Sequence, residues 1–393
     1  MTAVRRRRLL VLAAALVAFA IGLVAGSGGG EKERNATQPP RGTAADGGAN
    51  TVVPPAGEDD AAAPEPVDGL SLRRRVGQLI VLRFAGTTAP GYVLDALREG
   101  RAAGAILFRD NVTSPEQLRA LTRSLRRAGG DPVVAVDQEG GEIRILPWAP
   151  PAASAPQQQA ADTVRSDARA AARELRRAGI TVTLAPVGDV PTVAGAALGS
   201  RAFSDDPETA AAAMADAVRG WRAGGVAPTA KHFPGLGGAT VNTDDGPATI
   251  TRSRAELQAV DLPPFAAAID AGVPLVMIGH ARYPALDGNR IASQSAPILR
   301  DLLRRDLGFR GVVVTDSMEA AASLATGPVT SVSERAVRAG ADLLLLTGQG
   351  SFAPVSEHLL ATARESPGFR LRVRESAARV LALRAGRSDT PAP

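Results

Sequence analysis

No cysteine occurs in the 393 residues. That excludes disulfides, thiolate metal sites, a cysteine nucleophile and a lipid-modified cysteine near the N-terminus. It leaves the compartment open, because a domain of this size folds without cross-links. Lysine is nearly as scarce, with Lys32 and Lys231 alone, and histidine occurs only as His232, His280 and His358. Aromatic residues make up 3% of the chain and there is no lysine-rich run, so nucleic acid is not an expected partner. Four of the five net positive charges come from Arg5, Arg6, Arg7 and Arg8, which leaves the rest of the chain nearly neutral.

Those arginines precede an uncharged apolar run, residues 9–25. Its length sits between a signal-peptide core and a short membrane span. Residues 1–26 therefore read as a signal peptide or signal anchor, with the arginines cytoplasmic and the following chain extracytoplasmic, either anchored or secreted. Residues 27–67 are rich in Gly, Ala, Pro and acidic side chains without apolar periodicity, the composition of a disordered linker. The globular part is expected over 68–388.

That part alternates short apolar runs with Ala/Arg/Leu-rich segments. Strands are expected at 78–84, 105–108, 133–136, 181–185, 226–230, 275–278, 312–315 and 343–346. Helices are expected at 115–128, 163–178, 207–223, 254–271, 297–306 and 331–339, several opening on a cap or proline and closing near glycine. Eight strands with helices between them predict an α/β fold, a single-domain (β/α)8 TIM barrel, with an open doubly wound sheet as the alternative.

In such a barrel the chemistry sits at the carboxyl ends of the strands. Strand three ends in Asp137-Gln138-Glu139-Gly140-Gly141. The loop after strand four carries Gly199-Ser200-Arg201-Ala202-Phe203-Ser204-Asp205-Asp206-Pro207. Strand five runs into Lys231-His232-Phe233-Pro234-Gly235, strand six into His280, and strand seven into Asp316. Two of three histidines and the only lysine of the globular part thus share one end of one barrel. The glycines after Glu139 are expected to let backbone approach a ligand closely.

These motifs resemble the bacterial β-N-acetylglucosaminidases of glycoside hydrolase family 3, over nearly the whole globular part and in order. The resemblance implies a TIM barrel that removes terminal β-linked N-acetylglucosamine, typically from peptidoglycan fragments, by a retaining mechanism. It implies Asp316 as nucleophile, and Asp137, Arg201, Lys231 and His232 as partners of the sugar hydroxyls, with Arg144 and His280 as further members of that shell. No metal or cofactor is implied. A carbohydrate substrate, a membrane contact through the N-terminal segment and a monomer are the expected partners and state.

One loop departs from the family. There the relatives carry an Asp-Ser-His triplet whose histidine is the acid/base. Here the loop reads Gly237-Gly238-Ala239-Thr240-Val241-Asn242-Thr243-Asp244-Asp245-Gly246-Pro247, with Asn242 in the aspartate's place and Asp244 in the histidine's. Either Asp244 or Asp245 is then a carboxylic acid/base, or the barrel is catalytically impaired and binds wall glycan. Glu142 also stands where relatives usually have arginine. A metal-dependent hydrolase fits less well, since no His-x-His or His-Glu-x-x-His spacing occurs.

Overall fold

The computed structural model describes residues 67–388. The strands are β1 (Ile80–Arg83), β2 (Gly104–Ile106), β3 (Val133–Val136), β4 (Gln138–Gly140), β5 (Ile143–Arg144), β6 (Val182–Thr183), β7 (Ala227–Phe233), β8 (Leu275–Ile278), β9 (Arg282–Tyr283), β10 (Asp287–Ile291), β11 (Val312–Ser317) and β12 (Leu343–Leu346). Eight of them close a parallel barrel in the order β1-β12-β11-β8-β7-β6-β3-β2. Closure decides for the TIM barrel over the open sheet. The other four form two small antiparallel pairs, β4 with β5 and β9 with β10, which the sequence reading did not contain.

Alternation along each strand sorts its side chains. Val81, Ile106, Val133, Ala135, Val182, Met277, Val312, Val314, Leu343 and Leu345 fill the barrel interior. Their neighbours, such as Leu82, Val134, Ile278 and Val313, pack outward on the helices. Val380, from the helix Pro367–Ser388, packs into the interior cluster. Buried Asp342, just before β12, ties the barrel to its helices. It accepts from the Val313 N–H and pairs with Arg304, Arg372 and Arg379.

Several expected bounds shift for local reasons. The run at 78–84 starts as strand only at Ile80, because Gln78 caps the preceding helix Leu72–Gly77. The expected strand 181–185 shortens to two residues, and the strand expected to end at 230 continues through Lys231 and His232 to Phe233. The single helix expected at 254–271 is three pieces: Arg254–Glu256, a wider π-type turn Leu257–Asp261, and Pro263–Asp270. Pro263 and Pro264 lack the N–H groups a continuous helix would need there. The helices Phe352–Glu365 and Pro367–Ser388 were not anticipated as elements.

The apolar run 9–25 and most of the linker lie outside the described residues. Among the described residues no helix is long and apolar enough to cross a membrane.

Candidate active site

The end of β3 and the end of β7 meet in a charge cluster. Lys231 Nζ lies 2.6 Å from Asp137 Oδ1 and 2.6 Å from Glu139 Oε1. The Arg201 guanidinium grips Glu139 through both carboxylate oxygens, at 2.8 and 2.7 Å. Such a fork fixes orientation as well as charge. Burial alone would push the Glu139 carboxyl up, but Lys231 and Arg201 hold it down at about 2. Burial likewise works against the charged Lys231, and Asp137 and Glu139 more than compensate, raising its pKa. The cluster is two carboxylates against two cations, balanced and nearly dry.

A second pair sits beside it. His232 Nδ1 contacts Asp189 Oδ2 at 2.7 Å, and Asp189 Oδ1 accepts from the backbone N–H of His232 and of Leu236. Burial raises the Asp189 carboxyl, and His232 with those N–H groups draws it below the ordinary value. Asp189 therefore orients the imidazole and pins the root of the loop that follows β7. That leaves Nε2 as the ring atom free for a ligand.

Asp316 lies near the end of β11. Its Oδ1 accepts from the Ser317 N–H at 2.8 Å. It is not the cap of a helix, since the next one, Ala321–Leu324, starts after Ala320. Burial pushes its carboxyl up, and His232, His280, the Ser317 N–H and Lys231 together pull it below the usual range. Asp244 moves the other way. Burial of its surroundings raises it first, and the negative charge of Asp316 raises it further. Its outer side is nonetheless solvent-exposed, so the Asp316 charge is the firmer cause. Two interacting carboxylates with divergent affinities for a proton titrate as a pair.

The loop bearing Asp244 is docked. The Ala321 N–H donates to Asp244 O and the Ala322 N–H to Thr243 O. Ala197 N–H donates to Ala239 O on the other side. Gly237 is required at the loop root, because a Cβ there would meet Val190 O at 1.9 Å. Asp245 is exposed, and its N–H donates to Asn242 O in the turn.

The remaining candidates are placed differently from one another. His280 is fully buried, with Nε2 2.8 Å from Ser317 O and Nδ1 2.8 Å from Ser293 Oγ. Both nitrogens are taken, so the ring supports the Ser317 carbonyl, one residue past Asp316, and has no atom left for a sugar hydroxyl. Arg144 lies on β5, paired with Gln138 across the hairpin and part-buried, and its side chain makes no hydrogen bond or ion pair within the described residues. The close approach expected at Gly140 is to the protein itself, not to a ligand: a Cβ there would meet Ala153 O at 2.3 Å.

Sequence reasoning missed Glu139 and Asp189 as site residues. The signal for Asp189 was present, since Leu184-Ala185-Pro186-Val187-Gly188-Asp189 is an apolar run ending in a carboxylate, as at Asp316. Among the described residues no three His, Asp or Glu side chains gather in a way that would hold a metal ion.

The sequence profile of the glycosyl hydrolase family 3 N terminal domain matches residues 71–383. The chain belongs to that family. A relative, the beta-hexosaminidase of Stenotrophomonas maltophilia (strain R551-3), is 37% identical over 280 residues, covering 68% of this chain and 83% of its own. The solved β-N-acetylhexosaminidase of Beutenbergia cavernae superposes with a TM-score of 0.75 at 35% identity, over 80% of this chain and 98% of its own. The family 3 β-N-acetylglucosaminidase of Paenibacillus sp. str. FPU-7 gives 0.78 at 31% identity; the match covers 83% of this chain and 64% of that longer one.

Proposed function

We propose that the protein is a retaining exo-glycosidase that removes terminal β-linked N-acetylglucosamine. The observation that carries this reading is the opposite displacement of two interacting carboxyls, Asp316 drawn below the usual carboxylate range and Asp244 raised above it by burial and the Asp316 charge. A retaining glycosidase needs that division of labour. In the first step an Asp316 oxygen attacks the anomeric carbon. The bond to the leaving oxygen breaks, and Asp244 gives that oxygen its proton. In the second step Asp244 takes a proton from water, which attacks the same carbon and releases Asp316 as carboxylate. Asp137, Arg201, Lys231 and His232 hold the hydroxyls of the terminal ring, with Glu139 and Asp189 fixing the cations and the imidazole. A carboxylate at position 244 also repels an anionic acceptor, which favours water over phosphate in the second step.

The arginines before the apolar run 9–25 support a barrel on the extracytoplasmic side, held at or released from the membrane, and hence a substrate from wall glycan. The test is release of nitrophenol from its β-N-acetylglucosaminide and β-glucoside. Turnover of the former is expected to be lost in Asp316→Asn. A folded protein that binds N-acetylglucosamine but turns over neither glycoside would mean a barrel kept for binding.

A further inference from the structure

Trp148 is one of two tryptophans, and the other, Trp221, is buried. Trp148 is 37% exposed. A lone exposed ring on a flexible loop would mean nothing, but the turn that carries it is held. Gln138, fully buried between Asp137 and Glu139, donates from Nε2 to the carbonyls of Leu146, Ala149 and Pro150, at 3.1, 3.2 and 3.1 Å. Its Oε1 accepts from the Leu146 N–H at 3.0 Å. A fifth tie, Ala149 N–H to Leu146 O, closes the turn around Trp148. One buried amide thus spends its hydrogen bonds on fixing a turn whose Trp148 ring faces water.

The arm that carries that ring starts at the site. The Ile145 N–H donates to Asp137 O at 3.1 Å, so the arm leaves directly from the sugar-hydroxyl cluster. Trp148 lies three residues on from Ile145, a reach of at most about 10 Å. Arg144, on the same arm, has an unspent guanidinium.

We infer that Trp148 is a stacking platform for a second sugar ring of the substrate, on the leaving-group side of the scissile bond. The inference rests on the exo-glycosidase reading: the charge cluster takes the terminal ring, so a further ring meeting this arm belongs to the departing chain. The ligand class is a β-linked oligosaccharide, whose apolar ring face lies on the indole as sugars and aromatics pair elsewhere through C–H groups against a π face. A rigid, pre-positioned ring costs little ordering entropy on binding.

The test compares methyl β-N-acetylglucosaminide, which has no second ring, with the β-1,4-linked dimer and trimer of N-acetylglucosamine. In Trp148→Ala the oligomers' advantage in kcat/KM over the methyl glycoside should fall about tenfold, the scale of one lost aromatic anchor. Hydrolysis of the methyl glycoside should stay within about threefold, the change expected of an exposed side chain that misses the terminal ring. Trp148→Phe, which keeps a ring, should retain most of the advantage. Titrating the trimer into Asp316→Asn should change tryptophan emission, and Trp148→Phe in that background should remove the change, because Trp221 is buried. An unchanged oligomer advantage in Trp148→Ala, or no emission change despite trimer binding, overturns the inference and leaves the glycosidase reading standing. A wild-type protein that cleaves none of the three overturns both.

Discussion

Replacing Glu139 by glutamine removes the one carboxylate that Arg201 grips. Lys231 keeps Asp137 at 2.6 Å, so the loss falls on Arg201, which is left as a nearly buried cation without its anion. The magnitude follows from the proton affinity. Folding lowers the Glu139 carboxyl from an ordinary 4.5 to about 2. That shift corresponds to roughly 3 kcal/mol of stability at neutral pH, in line with the roughly 3–5 kcal/mol expected when one partner of a buried pair is removed. The sign is fixed by the direction. A depressed carboxyl contributes stability that is present above its unfolded value and disappears as pH falls toward 2. Glutamine resembles the protonated acid, so the difference between wild type and Glu139→Gln should be about 3 kcal/mol at pH 7 and shrink steadily below pH 4.5. Urea unfolding followed by the emission of buried Trp221, repeated at several pH values, measures it. A difference below about 1 kcal/mol at pH 7 would put the cluster among weak surface pairs, and one that does not vary with pH would refute the electrostatic reasoning.

Asp244→Asn should cost about 10² to 10⁴ in kcat on a substrate with a poor leaving group and far less on a dinitrophenyl glycoside, while Asp245→Asn stays near wild type; equal effects would remove Asp244 from the acid/base role. The pH–rate profile should be bell-shaped, its acid limb set by ionisation of Asp316 and its alkaline limb, displaced upward from an ordinary carboxyl, by deprotonation of Asp244. Asp244→Asn should abolish the alkaline limb, which titration at fixed ionic strength would check. His280→Gln should lower kcat by up to about 10²-fold through a displaced Asp316 with KM nearly unchanged, and Ser293→Ala should move kcat in the same direction; a raised KM with intact kcat would make His280 a sugar ligand after all.

Much of the barrel was legible because buried parallel strands read as plain apolar runs. Val133–Val136, Leu275–Ile278 and Leu343–Leu346 have the bounds their composition suggests. The two hairpins were not legible. β4 and β5 contain Gln138, Glu139 and Arg144, residues with no strand pattern, and they pair because Gln138 and the Asp137 carbonyl tie down the returning chain. Lys231 and Asp316 could be picked out by rarity or by position at a strand end, and Arg201 by the resemblance of its loop to the family's. Asp189 ends an apolar run in the same way, but its pairing and that of Glu139 were not legible, since only folding brings Glu139 to Arg201 across 62 residues and Asp189 to His232 across 43. His280 misled the sequence reading because its type suits a sugar site, and only the positions of Ser293 and Ser317 reveal that its ring is already occupied.

The central claim is that Asp316 forms the bond to the sugar. Incubation with a fluorinated N-acetylglucosaminyl fluoride, which slows release of the glycosyl-enzyme, followed by peptide mass analysis, tests it directly. The account predicts a single glycosyl adduct on the peptide containing Asp316, absent in Asp316→Asn. An adduct on Asp244 or Asp137, or turnover of the reagent by Asp316→Asn at the wild-type rate, would contradict it.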